Sequence, residues 1–343
     1  MGPEACDFRE LMRALSASLP RVKSASPSHD RVAYPTCAPA SPSLFSKTSG
    51  RSGGAGPSSG SGRAQARPET RRPFGLALAR ASCAHPGMDR GVIYVATGAD
   101  YRDLAVASAR SLRVVEPDLA VDLFTDAPEA VPGGLFDAVH LIADPHDRSK
   151  LDCMALTRFA RTLFLDCDTL VVNPLGDLWD ILDRFDLALA HDVRRRSDLI
   201  RAGHSVTTPY AFPQLNSGVM LYRRSEAMRA FLAEWVRRYV AAGTYRDQPV
   251  LKDLLWESDL RFYILPPEFN LRRVTLLDAW EPLDARPTIL HSHRFMDHMR
   301  HGGDRISDVV ALMDAERAAL EAEWDAAGGR DDHPVRRFDP KGD

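Results

Sequence analysis

Paired cysteines are missing. The five cysteines (Cys6, Cys37, Cys83, Cys153 and Cys167) are irregularly spread and form no C-x-x-C. An odd, sparse set argues against a disulfide framework and suits a reducing compartment, so the expected location is cytoplasmic. Long apolar runs are missing too. Nothing approaches the roughly 18 residues that a membrane helix needs, and no transmembrane segment is expected. A strong charge of one sign is absent, since the formal net charge is −3 over 343 residues. That balance gives no reason to expect nucleic acid or an anionic membrane as the main partner. No internal repeat is visible.

The even balance hides an asymmetry. Residues 1–87 carry about +7 and the remainder about −10, and no acidic residue falls between Asp30 and Glu69. The stretch SGRSGGAGPSSGSGRAQARP cannot bury enough apolar surface to offset its ordering entropy. Residues 1–88 therefore read as a disordered, low-complexity extension. Two other readings stay open: an Arg- and Ser-rich transit segment, or a mis-called start upstream of Met88. Residues 330–343 read as a polar tail.

From Gly91 the texture changes. Val92–Ala96 predicts a buried strand, and Asp103–Val114 has apolar residues at near-helical spacing, ended by Glu116-Pro117. Strands are expected at Val121–Thr125, Ala138–Ile142, Thr162–Leu165, Leu187–Ala190, Ser217–Tyr222, Phe262–Leu265 and Thr288–Leu290. Helices are expected at Leu151–Phe159, Leu178–Phe185, from a Ser225 cap through Val240, and at Gln248–Trp256. A last helical face runs through Ile306, Val309, Val310, Met313, Leu320 and Trp324 and stops at Gly328-Gly329. Val193–Gln214 reads as a long polar loop that could be a lid or acceptor loop. This alternation implies a single α/β domain over residues 89–329, with a mostly parallel sheet flanked by helices.

The segment FLDCDTLVV (Phe164–Val172) is the most informative. An apolar strand delivers Asp166 and Asp168 to the C-terminal edge of a sheet, where open α/β folds place their ligands. Hard oxygen ligands at that spacing suit a divalent cation that also takes phosphate oxygens. Three alternatives accompany this reading. The aspartates could simply cap the turn after the strand. The motif also suits a phosphatase of the haloacid-dehalogenase type, with Asp166 as nucleophile. Against it, three strands precede the motif, and GDLWD (Gly176–Asp180) fits that family's later paired-acid motif poorly. A domain of the same fold could also bind a nucleotide sugar without turning it over.

Five stretches, taken in order, carry a family resemblance. They are KLDCMALTRFARTLFLDCDTLVVNPL (Lys150–Leu175), LNSGVMLYRRS (Leu215–Ser225), DQPVL (Asp247–Leu251), PPEFN (Pro266–Asn270) and ILHSH (Ile289–His293). Over residues 90–295 the chain resembles the nucleotide-diphospho-sugar transferases of the GT-A (Rossmann-like) fold, especially glycosyltransferase family eight. The resemblance implies a hexosyltransferase with a DxD motif that moves a hexose from a nucleotide-diphosphate sugar, a UDP-sugar by this reading, to an unidentified glycan, lipid or protein acceptor. It also implies retention of configuration.

The same resemblance assigns roles to residues. Asp166, Asp168 and His291 would bind Mn²⁺ or Mg²⁺, an imidazole favouring Mn²⁺. His293 is the competitor of His291, because a continuing strand would place both on one side. Asp247 and Gln248 would lie beside the reacting carbon, although Asp also suits a helix N-terminus. Asn216 would contact the donor sugar, Lys150 and Asp166 the donor phosphates, and Ala96, Thr97, Asp100 and Tyr101 the nucleobase. An ordinary strand-to-helix turn explains those last four letters equally well. The loop has one isolated Gly98 and no G-x-G-x-x-G, which counts against a dinucleotide site. Two departures stand out: RFMDHMRHGG replaces the family's K-P-W stretch, and Pro249 replaces the acid that often follows D-Q.

Overall fold

The computed structural model describes residues 89–328. The expectations for residues 1–88 and 330–343 lie outside the described residues. In chain order the elements are β1 (Arg90–Ala96), α1 (Ala99–Val115), β2 (Ala120–Thr125), β3 (Ala138–Leu141), α2 (Ser149–Cys153), β4 (Arg161–Leu165), β5 (Thr169–Val171) and β6 (Leu187–His191). There follow α3 (Asp198–Arg201), β7 (Leu215–Arg223), α4 (Glu226–Ala242), α5 (Gln248–Glu257), β8 (Phe262–Leu265), β9 (Ile289–His291), α6 (Asp297–His301) and α7 (Val309–Ala326).

Seven strands form one sheet in the order β3-β2-β1-β4-β7-β6-β8. All neighbours are parallel except β7, which runs against both β4 and β6. The inner strands β1, β2, β4, β6 and β7 are buried on both faces, which is why they read as nearly continuous apolar runs. Alternate residues serve opposite layers. Val92, Tyr94, Leu163, Leu165, Val219 and Leu221 pack with α1 and α7. Ile93, Phe164, Met220 and Tyr222 pack with α4 and α5 through Phe231, Trp235 and Leu251. This is the mostly parallel α/β sheet flanked by helices that the sequence implies.

Local chemistry sets several boundaries. Ser225 Oγ accepts the Met228 N–H at 3.1 Å and starts α4, which ends at Gly243 in the left-handed region, φ 58°. The helix expected over Leu151–Phe159 is only α2 followed by a 3-10 turn at Met154–Leu156. Thr157 Oγ1 there accepts the Phe159 N–H at 3.2 Å and pairs with Thr162 Oγ1 at 2.9 Å, side-chain bonds that compete with a helix. The Phe159 ring also fills the space above Gly91, where an added Cβ would lie 2.5 Å from it. Leu178–Asp183 is likewise a 3-10 segment, and α7 begins at Val309, behind an Asp308 cap, so Ile306 precedes it.

The polar stretch Val193–Gln214 carries the short α3 and is tied down near its middle. Asp253, buried on α5, accepts the N–H groups of Ser205 at 2.6 Å and Val206 at 3.1 Å.

Candidate active site

One edge of the sheet gathers the polar residues. The parallel strands β1, β4 and β6 end there, delivering Thr97, Asp166 and Asp192. Because β7 is antiparallel, its first residues, Asn216 and Ser217, arrive at the same edge. The Asp166 N–H donates to Gly218 O at 2.7 Å, continuing the β4–β7 ladder. These residues line a cleft of about 660 Å³, a size that accepts a small-molecule ligand.

A second, two-stranded sheet supplies the histidine. Just past Asp168 the chain enters β5, which pairs antiparallel with β9 so that Thr169 faces His291. Ligand atoms of Asp166, Asp168 and His291 all lie within 4.8 Å of one another. His291 Nε2 stands 3.3 Å from Asp168 Oδ1. Burial by itself would raise the Asp168 pKa, but His291 and Arg272 outweigh it and hold the carboxyl below its usual range. A buried hydroxyl chain braces the turn: Tyr94 OH to Ser108 Oγ at 2.9 Å, Ser108 Oγ to Thr169 Oγ1 at 2.7 Å, and Thr169 Oγ1 donating to Asp166 O at 2.8 Å.

The space itself fits a shared cation. At Gly218 an added Cβ would lie 2.2 Å from His291 Cε1 and 2.5 Å from Asp166 Oδ2. The glycine of the N-S-G stretch therefore makes room for imidazole and carboxylate together. Cys167, between the aspartates, turns its thiol to Val95 O at 3.3 Å and stands outside the three-ligand group. Two carboxylates and one imidazole form the donor set, which suits Mn²⁺ or Mg²⁺. The expected rivalry with His293 does not arise. β9 stops at His291 and a 3-10 turn begins at His293, so the period-two placement ends. His293 lines the cleft but stays outside the three-ligand group.

Lys150 joins this group to the next. Its Nζ lies 3.2 Å from Asp166 Oδ1, 3.6 Å from Asp247 Oδ2 and 3.2 Å from Ser217 Oγ. Burial would lower its pKa, but Asp166 and Asp247 more than compensate and keep the ammonium charged. Asp247 precedes α5, yet its side chain makes no capping bond. Instead Asp247 Oδ2 accepts from Ser217 Oγ at 2.7 Å. Gln248 Nε2 donates to Asp192 Oδ2 at 2.7 Å, and Asn216 Nδ2 donates to the same oxygen at 3.3 Å. Asp168, Asp192, Asn216, Asp247 and His291 are all buried.

The remaining residues singled out from sequence divide. Thr97 and Tyr101 line the cleft, with Tyr101 42% exposed at its rim. Ala96 is buried at the end of β1 and Asp100 is exposed in the first turn of α1, and neither lines the cleft. Gly176–Asp180, the segment a phosphatase would need, does not line it either.

Sequence reasoning missed Asp192 and the arginines. The Asp192 signal was present, for LALAHD repeats the pattern of an apolar strand running into a carboxylate. Arg148, Arg272 and Arg294 all line the cleft with a buried Nε that has no hydrogen-bond partner. Their nearest carboxylates are Asp247 at 3.4 Å, Asp192 at 3.9 Å and Glu316 at 3.9 Å.

No family model and no curated protein matches this chain. Solved structures of glycosyltransferases are similar to it in outline. The galactosyltransferase LgtC, solved with donor and acceptor sugar analogues, shares 18% identity over 59% of this chain and 86% of its own, with a TM-score of 0.42. The glycosyltransferase GlyE of Streptococcus pneumoniae TIGR4 shares 18% over 70% of this chain and 64% of its own, with a TM-score of 0.44. The bifunctional glycosyltransferase WbbM shares 13% over 64% and 46%, with a TM-score of 0.43.

Proposed function

We propose that this protein is a metal-dependent glycosyltransferase that moves a hexose from a nucleotide-diphosphate sugar, by preference a UDP-sugar, to an acceptor hydroxyl with retention. The observation that carries this reading is the convergence of Asp166, Asp168 and His291 to within 4.8 Å at the sheet edge, beside Asp247 and Gln248. A divalent ion held by those three side chains, Mn²⁺ or Mg²⁺, would supply Lewis-acid stabilisation for a departing diphosphate.

The chain's own groups would do the rest. Lys150, kept charged by its two carboxylates, would meet phosphate oxygens as they enter. Arg272 and Arg294 would give their free Nε–H groups to the same anion, and Arg294 would stand in for the absent K-P-W stretch. Thr97 and Tyr101 would receive the nucleobase, Tyr101 by stacking. Asp247 and Gln248, fixed by Ser217 and Asp192, would orient the sugar so that positioning provides much of the acceleration. Val193, Arg194 and Leu199 line the cleft from the 193–214 stretch and would face the acceptor. No helix among the described residues is long and apolar enough to cross a membrane. The two described cysteines are free thiols, which suits a cytoplasmic setting.

Thermal-shift titration of a panel of nucleotide sugars, with and without Mn²⁺, tests the reading. Stabilisation by one UDP-sugar only in the presence of metal is expected. Equal shifts with and without Mn²⁺, or none for any nucleotide sugar, would overturn it.

A further inference from the structure

His291 Nδ1 and Asn270 Oδ1 lie 2.8 Å apart, and both side chains are buried. Which of the two atoms donates follows from the groups behind them. The Gly218 N–H, a backbone group that can only donate, points at Asn216 from 3.0 Å. The facing atom of Asn216 is therefore its oxygen. That oxygen lies 3.0 Å from the Asn270 amide, so Asn270 must present Nδ2 to it. The remaining Asn270 atom, the one facing the imidazole, is then Oδ1, an acceptor. Asp192 gives the same answer from the other end: its Oδ2 accepts from Gln248 Nε2 and faces Nδ2 of Asn216. Every bond thus runs one way, from the imidazole through two amides to a carboxylate.

The backbone holds Asn270 in place. The Leu271 N–H donates to Ile289 O at 2.8 Å, and the His291 N–H donates to Leu271 O at 3.2 Å. Asn270 is carried beside β9 and does not itself line the cleft.

We propose that Asn270 is the positioning residue for the metal-ligand imidazole. Its Oδ1 takes the Nδ1 proton and so leaves the Nε2 lone pair aimed at the space shared with Asp166 and Asp168. The inference rests on the metal reading above and adds a residue that lies behind the cleft wall. The asparagine of P-P-E-F-N thereby acquires a physical role, since an oriented acceptor behind a ligating histidine raises its basicity and fixes its ring.

The test uses Mn²⁺ alone on the full chain, with two readouts that need no turnover. Free Mn²⁺ counted by electron paramagnetic resonance gives the affinity. The electron spin-echo modulation from a directly bound ¹⁴N reports the imidazole. Wild type is expected to show the nitrogen coupling. Asn270→Leu is expected to bind Mn²⁺ about 10–100-fold more weakly and to lose the coupling. Asn270→Asp keeps an oxygen facing Nδ1 but loses the donation to Asn216 Oδ1, and is expected to retain the nitrogen coupling with a smaller loss of affinity than Asn270→Leu. Thermal unfolding checks each variant, and Asn270→Ala replaces Asn270→Leu if the latter does not fold. Asn270→Leu with unchanged affinity and coupling, or Asn270→Asp losing both as fully as Asn270→Leu, would overturn this inference alone. A wild-type protein that binds no Mn²⁺ would overturn the metal reading and this inference with it.

Discussion

Asp168 Oδ1 lies 3.3 Å from His291 Nε2, brought there by the pairing of two three-residue strands. Nδ1 of that ring is already given to Asn270, so the face turned to Asp168 is free to join a cation. This contact links the motif most visible in the sequence to the one whose partner was in doubt.

Removal of that carboxylate should separate function from folding. Asp168→Asn is expected to lower Mn²⁺-dependent donor turnover by about 100-fold or more, since the Lewis acid loses a ligand. Its far-ultraviolet circular dichroism should match wild type. Turnover assays beside that spectrum check the prediction, and undiminished turnover would remove Asp168 from the site.

Gly218→Ala should damage the same site sterically. The new methyl group would lie 2.2 Å from His291 Cε1 and 2.5 Å from Asp166 Oδ2. Overpacking of this kind costs about 1–3 kcal/mol of stability, and Mn²⁺ affinity should fall with it. Urea unfolding and a metal titration on one preparation measure both. A variant with wild-type affinity would mean that the ring and carboxylate can spread without loss.

Asp137 carries a pH-dependent part of the stability. Partial burial would raise its pKa, but the Val121 N–H at 2.8 Å and Arg113 at 2.7 Å outweigh that and hold it below the usual range. A carboxyl depressed in the folded state stabilises above its unfolded pKa of about 3.9 and loses that contribution as pH falls through the folded value. Asp137→Asn should therefore melt below wild type at pH 7, and the gap should narrow below about pH 4. A gap that stays constant down to pH 2 would contradict this origin.

The 203–206 turn should be loosened by a change well away from the aspartate pair. Asp253→Ala removes the acceptor for Ser205 N–H, Ser205 Oγ and Val206 N–H, at 2.6, 3.1 and 3.1 Å. Faster hydrogen exchange at the Ser205 and Val206 amides is expected, with β4 amides unchanged. Protection at Ser205 and Val206 equal to wild type would show that the loop is held by other contacts.

Much of this molecule was legible from local pattern. The strand through Phe164 and Leu165 announced Asp166, and Ser225 announced its helix, because a buried strand and a capped helix are decided by residues adjacent in the chain. The readings that failed met tertiary competition. Thr157 and Phe159 would continue a helix by pattern, yet a hydroxyl bond to Thr162 and the empty space over Gly91 draw them out of it. β5 was not expected at all, for three residues carry no readable period and the strand exists only where β9 lies beside it. Asp192 went unnoticed although its strand ends as that of Asp166 does.

By itself the sequence determined which segments are apolar, their periods, and that acids, amides and a histidine stand at their ends. Those properties follow from side chains within a few residues of each other. Only the tertiary structure decided that β7 runs backwards beside β4, that His291 rather than His293 meets the aspartates, and that two amides orient its ring. Register between distant strands is settled by packing on both faces of the sheet, and no single segment contains that information.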